Sequence, residues 1–456
     1  MHSKITEPFL NRFKDIPFSP VKWPFFYGWF IIFAGIVGIV MSIPGQTIGV
    51  SVFTDHLIEA LDVSRVNLSM AYMAGTILSG FFIPYAGRLY DRYGVRPVIM
   101  VAGFSLGLTL IYLSRIAQVS NWFTGFINFL SPAIVIFTLM TMGFFSLRFF
   151  GQGVLTMASR NMVMKWFDKK RGFANAILGI TVSFGFSYSP QALDILVQNF
   201  SWQGAWQTLG LISGVGFVLF VFTFFRDNPG KYGLIPDGKK ITDKKKDNTN
   251  LPLLKEYTLK EAKKTYSFWI FNLSLALQAL YVTAFTFNVI SIFAVNGFDH
   301  RAAITIFLPA SVVAVSFHFF GSWLSDYLIL KYFLLLQISG MLISMTALVF
   351  LDQSQAMRWI LIAGNGIMSG MYGVLSAVTW PRFFGLRHLG AITGYAMSWM
   401  VIGSAIGPFM FSLSFRLTGQ YNLATWICIF IALNLFILGF RADNVNRTEN
   451  TDLNRD

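Results

Sequence analysis

Gly87-Arg-Leu-Tyr-Asp91-Arg92-Tyr-Gly94-Val-Arg96 is a charged, glycine-bounded turn set between two apolar runs, residues 67–89 and 95–114. A bilayer core of about 30 Å takes roughly 20 apolar residues of α-helix, so each run is long enough to cross. A degraded copy of the turn, Ser322-Trp-Leu-Ser-Asp326-Tyr-Leu-Ile-Leu-Lys331, lies between runs 302–325 and 331–351. In both copies an aspartate, Asp91 or Asp326, precedes a basic residue by five positions. The turn therefore marks a repeat. Paired halves of this kind suit a binding site near the midplane, at the interface of the halves.

Outward from the first turn, further apolar runs fall at 27–53, 133–163, 171–195 and 204–225. The second half adds 267–295, 357–380, 389–413 and 422–440. The pattern predicts an all-α membrane protein with twelve transmembrane helices in two pseudo-symmetric six-helix bundles. Its expected parts are a cytoplasmic tail (1–26), a first bundle (27–225), a basic cytoplasmic linker (226–266), a second bundle (267–440) and a cytoplasmic tail (441–456). Residues 116–132, with Trp122, Phe123, Phe126 and Phe129, are apolar but too short to span, and they read as an interfacial segment.

Composition agrees with a lipid solvent. Hydrophobic residues make up 55% of the chain, and charged residues only 12%, against about 25% in soluble domains. A formal charge of +14 would suggest nucleic acid in a soluble protein. Here the basic residues sit in short connections between apolar runs, so nucleic acid is excluded as a partner. Of the 35 Lys and Arg, 29 fall on one set of alternating connections. That asymmetry predicts both termini in the cytoplasm, in a plasma membrane and most simply a bacterial inner membrane. Eleven of the basic residues lie in the linker, including Lys244, Lys245 and Lys246. They serve as a topology determinant or as a lipid-binding or regulatory patch. The single cysteine, Cys428, excludes a disulfide framework and a thiolate metal site. Residues 1–26 lack the short apolar core and cleavage site of a signal peptide.

The first turn resembles the signature loop of the major facilitator superfamily, Gly-x-x-x-Asp-Arg-x-Gly-x-Arg, and Gly87, Asp91, Arg92, Gly94 and Arg96 match it in full. The resemblance implies a conformational switch. Gly87 would allow close helix approach, and Asp91 with nearby arginines would form a breakable charge cluster, with Asp326 as the counterpart. Finer stretches resemble the bacterial branch related to monocarboxylate carriers and oxalate/formate antiporters. These are Gly49-Val-Ser-Val-Phe53 with Val63-Ser-Arg65, Lys165-Trp-Phe-Asp-Lys-Lys-Arg-Gly172, and Asp227-Asn-Pro-Gly-Lys-Tyr-Gly-Leu-Ile-Pro-Asp237. The run from Phe383 through Gly394 to Gly403-Ser-Ala-Ile-Gly407-Pro408 is similar as well. Many members of that branch carry an arginine in helix 8 that would anchor a carboxylate through charge-assisted hydrogen bonds. The matching position here is His318, whose charge depends on pH. Ala314 stands where some carriers keep an aspartate.

Ionisable groups inside a span are expensive and mark functional sites by default. His318 is eight residues from Asp326, about 12 Å along a helix, and is either a substrate- or proton-binding group or a structural histidine. Arg148 lies about 27 Å from Trp166, in the outer part of helix 4. It could bind an anion, relay protons or snorkel to the headgroups. The superfamily often places an arginine ahead of Gln-Gly on this helix, and here the spacing is one residue longer. Gln46, Gln152, Gln278, Tyr281, Asn365, Tyr372 and Tyr395 could complete the cavity, as could Tyr188, Asn288 and Trp399. Each could equally hydrogen-bond between helices.

No nucleotide loop, metal-spaced His-Glu pair or nucleophile elbow occurs, so no enzyme, cofactor or metal is expected. The expectation is a monomeric secondary transporter of a small organic anion, driven by protons or by a counter-anion. A carrier of a larger or less charged solute is the alternative (a siderophore, peptide, drug or nucleoside-like compound). A non-transporting receptor is the remote one.

Overall fold

The computed structural model describes residues 15–126, 131–238 and 255–444, and among these it is helical with no strand. Among the described residues, ten helices are long and apolar enough to cross a membrane. One of them, Arg171–Phe224, is 54 residues long, about 80 Å of helix, far more than one crossing needs. It bends at Ser201, a non-glycine residue with φ of 62°, so it supplies two crossings. The first crossing begins with helix α1 (Gly28–Val40), which is too short alone and is continued by α2 (Thr47–Ser51). These bring the total to the twelve that hydropathy predicts.

The expected continuous helix over 27–53 is instead broken, with a 3₁₀ turn at Ile43–Gly45 between α1 and α2. Pro44 explains the break, since its nitrogen cannot donate and its ring clashes with the carbonyl four residues back. A short helix, α3 (Thr54–Leu61), leads to α4 (Arg65–Tyr93) and α5 (Val95–Ser114), which flank the first turn. The segment after α5 forms α6 (Ile116–Phe126), which exposes Trp122 and Phe126. Residues 127–130 of that expected segment lie outside the described residues. The fourth crossing comprises α7 (Pro132–Leu147), a π-helical stretch (Arg148–Leu155) and α8 (Thr156–Trp166). The fifth and sixth comprise α9 (Arg171–Leu211), a π-turn (Ile212–Gly216) and α10 (Phe217–Phe224).

In the linker, α11 (Leu259–Ala262) opens on a capping box, with Thr258 and Glu261 satisfying each other's backbone amides. Lys244 to Lys246 fall outside the described residues. The remaining crossings are α12 (Tyr266–Val295), α13 (His300–Thr305) with α14 (Phe307–Leu324), α15 (Leu330–Val349), α16 (Gln355–Phe384), α17 (Leu389–Thr418) and α18 (Asn422–Gly439).

By packing, the chain forms two units. The first is Met1–Asp168 with Thr181–Lys244 and Thr393–Met397; the second is Lys169–Ile180 with Lys245–Ile392 and Ser398–Asp456. Small residues let helices approach in both, as van der Waals packing requires where lipid removes the hydrophobic drive. In the first unit, a Cβ on Gly107 would fall 2.7 Å from Gly214 Cα. In the second, a Cβ on Gly364 would fall 2.6 Å from the Ser344 amide nitrogen. Aromatic residues divide by neighbour rather than by type. Phe81, Phe184, Phe287 and Phe430 are exposed, whereas Phe268, Phe271 and Phe285 are buried.

Candidate functional site

The break in the first crossing is met by the irregular part of the fourth. Gly45 and Gly151 touch backbone to backbone, with a Cβ on Gly45 falling 2.7 Å from Gly151 Cα. Beside this contact lies Arg148, which is only 3% exposed. Its Nη1 donates to the Gly45 carbonyl (3.2 Å) and to Thr47 Oγ1 (3.4 Å), and its guanidinium lies 5.4 Å from the Tyr72 ring centroid. Tyr72 and Thr47 share a hydroxyl–hydroxyl bond of 3.0 Å. No carboxylate pairs with Arg148 among the described residues, and its Nε has no hydrogen-bond partner there. Thr47 is exposed, so the buried cation lies next to accessible surface. A buried guanidinium without a carboxylate among the described residues is costly.

The π-helical stretch explains the spacing of Arg148 to Gln152-Gly153. Bonding from i to i+5 accommodates one residue more than the α-helix does. The extra residue is absorbed there, and the faces before and after it stay in register. Gln152 is half-buried on this stretch, and its Oε1 has no partner among the described residues. Gln46 reaches from the break to Ser42 Oγ (3.0 Å) and Thr156 Oγ1 (3.3 Å), and Thr156 donates to Ser42 (3.1 Å). Arg148, Gln46 and Gln152 are thus brought together, along with Ser42, Thr47, Tyr72 and Thr156, which sequence reasoning did not single out.

The second unit treats its candidates differently. Gln278 and Tyr281 are fully buried between helices. Gln337 donates to Gln278 and accepts from Ser274 (3.2 Å), while Tyr281 pairs with Ser344 (3.0 Å). Their polar groups are consumed in helix packing. Asn288 bonds to the Ala284 carbonyl in its own helix (2.9 Å). Tyr372 donates to Met400 Sδ, and Asn365 is half-buried on α16. Tyr395 is half-buried in the Thr393–Met397 segment of the first unit. Tyr188 is exposed, and Trp399 packs edge-on against Trp269.

His318 is half-buried on α14, with its Nε2 3.3 Å from Asn175 Nδ2. Asn175 also reaches Ser322 Oγ (3.0 Å) and the Gly373 carbonyl (3.1 Å). Glycines flank the imidazole on two helices. A Cβ on Gly179 would collide with Nε2, and one on Gly373 would collide with Nδ1. No spacing rule ties Asn175, Gly179 and Gly373 to His318, so folding alone reveals them.

Asp326 caps the start of α9, accepting from the amides of Gly172 (2.8 Å) and Phe173 (3.0 Å). Arg382 bonds to the same carboxylate (3.3 Å) and to the Ser325 carbonyl. Negative charge at a helix N-terminus is stabilising.

In the first turn, Gly94 has φ of 84° and joins α4 to α5. Gly87 is buried, and a Cβ on Gly394 would lie 3.4 Å from its Cα. Arg92 is exposed over the Tyr93 ring, Asp91 is half-buried, and Arg96 donates to the Phe225 carbonyl (3.3 Å). A further acid emerges beside Gly94. Asp227 pairs with Lys165 (3.3 Å) and Lys231 (2.7 Å). Burial alone would raise its carboxyl, but the two ammonium groups outweigh that and hold it down to about 2. A carboxylate depressed in the folded state stabilises it above the unfolded value of 3.8, and the benefit fades as pH falls toward 2. Asp227→Asn should therefore destabilise by ~2 kcal/mol. Thermal unfolding should show that deficit as constant from pH 8 to 5 and narrowing only below about 4. A deficit that shrinks near neutrality would refute this account.

Twelve apolar crossings and a buried polar cluster at a broken helix define a multi-pass membrane protein. The sequence profile of the Major Facilitator Superfamily matches residues 30–408, and the chain belongs to that family, as a secondary transporter. The chain is similar in fold to the proton:xylose symporter XylE bound to 6-bromo-6-deoxy-D-glucose, with a TM-score of 0.64 and 14% identity over 93% of this chain and 99% of that one. The E. coli fucose:proton symporter FucP gives a TM-score of 0.58 and 17% identity, over 91% and 99%. The human organic anion transporter MFSD10 gives 0.59 and 12%, over 90% and 99%. At these identities the likeness shows the fold alone. No curated protein sequence matches the chain.

Proposed function

We propose that this carrier moves a small, monocarboxylate-like organic anion across a plasma membrane by alternating access, coupled to protons or to a counter-anion, with both termini in the cytoplasm. One observation carries the reading. Arg148 is a buried cation whose neighbours are a carbonyl, a hydroxyl and an aromatic face, with no carboxylate among the described residues. Guanidinium matches a carboxylate in a bidentate fork. The break at Pro44 and Gly45 places irregular backbone beside it, as expected where a helix lines a cavity. The concentration of Lys and Arg on one set of connections supports the orientation, and the resemblance to the monocarboxylate and oxalate/formate branch supports the substrate class.

The test is uptake into proteoliposomes of labelled lactate, pyruvate, oxalate and formate, with and without an inward proton gradient. Gradient-driven accumulation of one of them is expected for a symporter, and uptake only against preloaded anion for an exchanger. No flux from folded, inserted protein would overturn the anion reading in favour of a larger or less charged solute.

A further inference from the structure

The segment Lys169–Ile180 packs within the second unit, and its contacts there differ in chemistry. At its start, the Gly172 and Phe173 amides bond to Asp326. One turn on, the Asn175 amide nitrogen faces Ser322 Oγ, the Gly373 carbonyl and His318 Nε2. Another turn on, the Gly179 backbone lies against the imidazole.

The Gly373 carbonyl can only accept, so the group turned toward it must be the amide nitrogen of Asn175 and not its oxygen. That orientation fixes the histidine. Nδ2 has two hydrogens for three neighbours, and since it has no lone pair to offer, Nε2 meets it favourably only with its own lone pair, in a neutral ring protonated on Nδ1. Asn175 Oδ1 is turned away and has no partner among the described residues. A proton on Nε2 would set donor against donor. Flipping the amide would cure that contact but set Oδ1 against the Gly373 oxygen. The ring cannot readily swing aside either, because Gly179 and Gly373 bracket it closely.

We propose that Asn175 is a positioning residue that reads the protonation of His318, holding Lys169–Ile180 against α14 only while the imidazole is neutral. A proton arriving at His318 loosens the segment. The proposal deepens the transport reading by assigning the coupling proton a residue and a mechanical consequence, and it rests on that reading for its role in coupling. The charged and titratable groups on the packed elements are Lys169, Lys170 and Arg171 on the segment, Asp326 beyond α14, and Arg358, Tyr372 and Arg382 on α16. Of these, Asp326 is held by Arg382 and by two amides.

Amide hydrogen exchange of residues 171–180 in reconstituted protein provides the test, comparing wild type with His318→Gln at each pH. The glutamine chain cannot titrate there, and both chains share the same intrinsic exchange chemistry. Their exchange rates should agree near pH 8, while wild type should exchange about tenfold faster near pH 5.5. A ratio near one across that range overturns the proposal, as does a step that persists in His318→Gln. Should that variant fail to fold, the ¹⁵N spectrum of wild-type histidine decides. A neutral His318 protonated on Nδ1 supports the arrangement, and one protonated on Nε2 refutes it. Neither measurement needs substrate, so the latch can fail while the anion reading stands, and the uptake panel tests that reading separately.

Discussion

Arg148→Ala is expected to lower anion uptake about 100-fold while leaving a folded, inserted protein. Two charge-assisted hydrogen bonds to a carboxylate are together worth about 3 kcal/mol or more, and every 1.4 kcal/mol is tenfold. Stability should change little, because two effects oppose each other. The Gly45 carbonyl loses its donor, at about 1–3 kcal/mol, but a desolvated guanidinium with no acidic partner among the described residues is also removed. Arg148→Lys should fall between wild type and alanine. It keeps the charge and loses the planar fork, so about tenfold of the deficit should return. The measurement is initial uptake rate against anion concentration, alongside a thermal unfolding curve for each variant. Wild-type uptake by Arg148→Ala would remove this residue from the site and leave the anion reading without its main support.

Gly45→Ala should be strongly destabilising, because the added methyl has only backbone to meet. The added Cβ would collide with the Leu147 carbonyl oxygen and lie 2.7 Å from Gly151 Cα and 3.0 Å from Gln152 N. All three atoms belong to backbone, which cannot turn aside as a side chain can. Overpacking of a well-packed core costs about 1–3 kcal/mol, and a backbone-on-backbone collision belongs at or above the top of that range. Gly216→Ala is the matched control. It lies in an irregular stretch too, a π-turn where Gly45 is in a 3₁₀ turn, yet nothing stands within 4 Å of its would-be Cβ. Thermal stability in detergent should fall sharply for Gly45→Ala and stay at wild type for Gly216→Ala. Equal melting of the two would show that the Gly45–Gly151 approach relaxes freely and contributes nothing to the site.

The proximity of these two glycines shows how unevenly the site was legible. Arg148 stands out in the sequence as a charge inside an apolar run, whereas the break at Pro44 appears only in the fold. Their meeting is not written in either stretch. Gln278 and Tyr281 make the same point from the other side. As polar residues in a span they look like cavity candidates, yet Gln337 and Ser344 on α15 take up their hydrogen-bonding groups. A polar side chain in lipid needs a partner. Whether that partner is a solute or another helix depends on which face meets which neighbour. Asp227 was visible only as part of a family-like stretch, and its role emerges from Lys165 arriving beside it.

What the sequence determined by itself is the membrane class, the twelve crossings and the division into two repeats. These follow from quantities that add up along the chain: the length of apolar runs, the placement of Lys and Arg, and the recurrence of a turn. Tertiary structure alone decided which polar groups face one another. It absorbed the extra residue between Arg148 and Gln152 into a π-turn, set the His318 ring between Gly179 and Gly373, and aimed the Asn175 amide at it. The physical reason is that a helix fixes direction through short-range hydrogen bonds, while each of these contacts joins residues from different helices and exists only once the helices have packed.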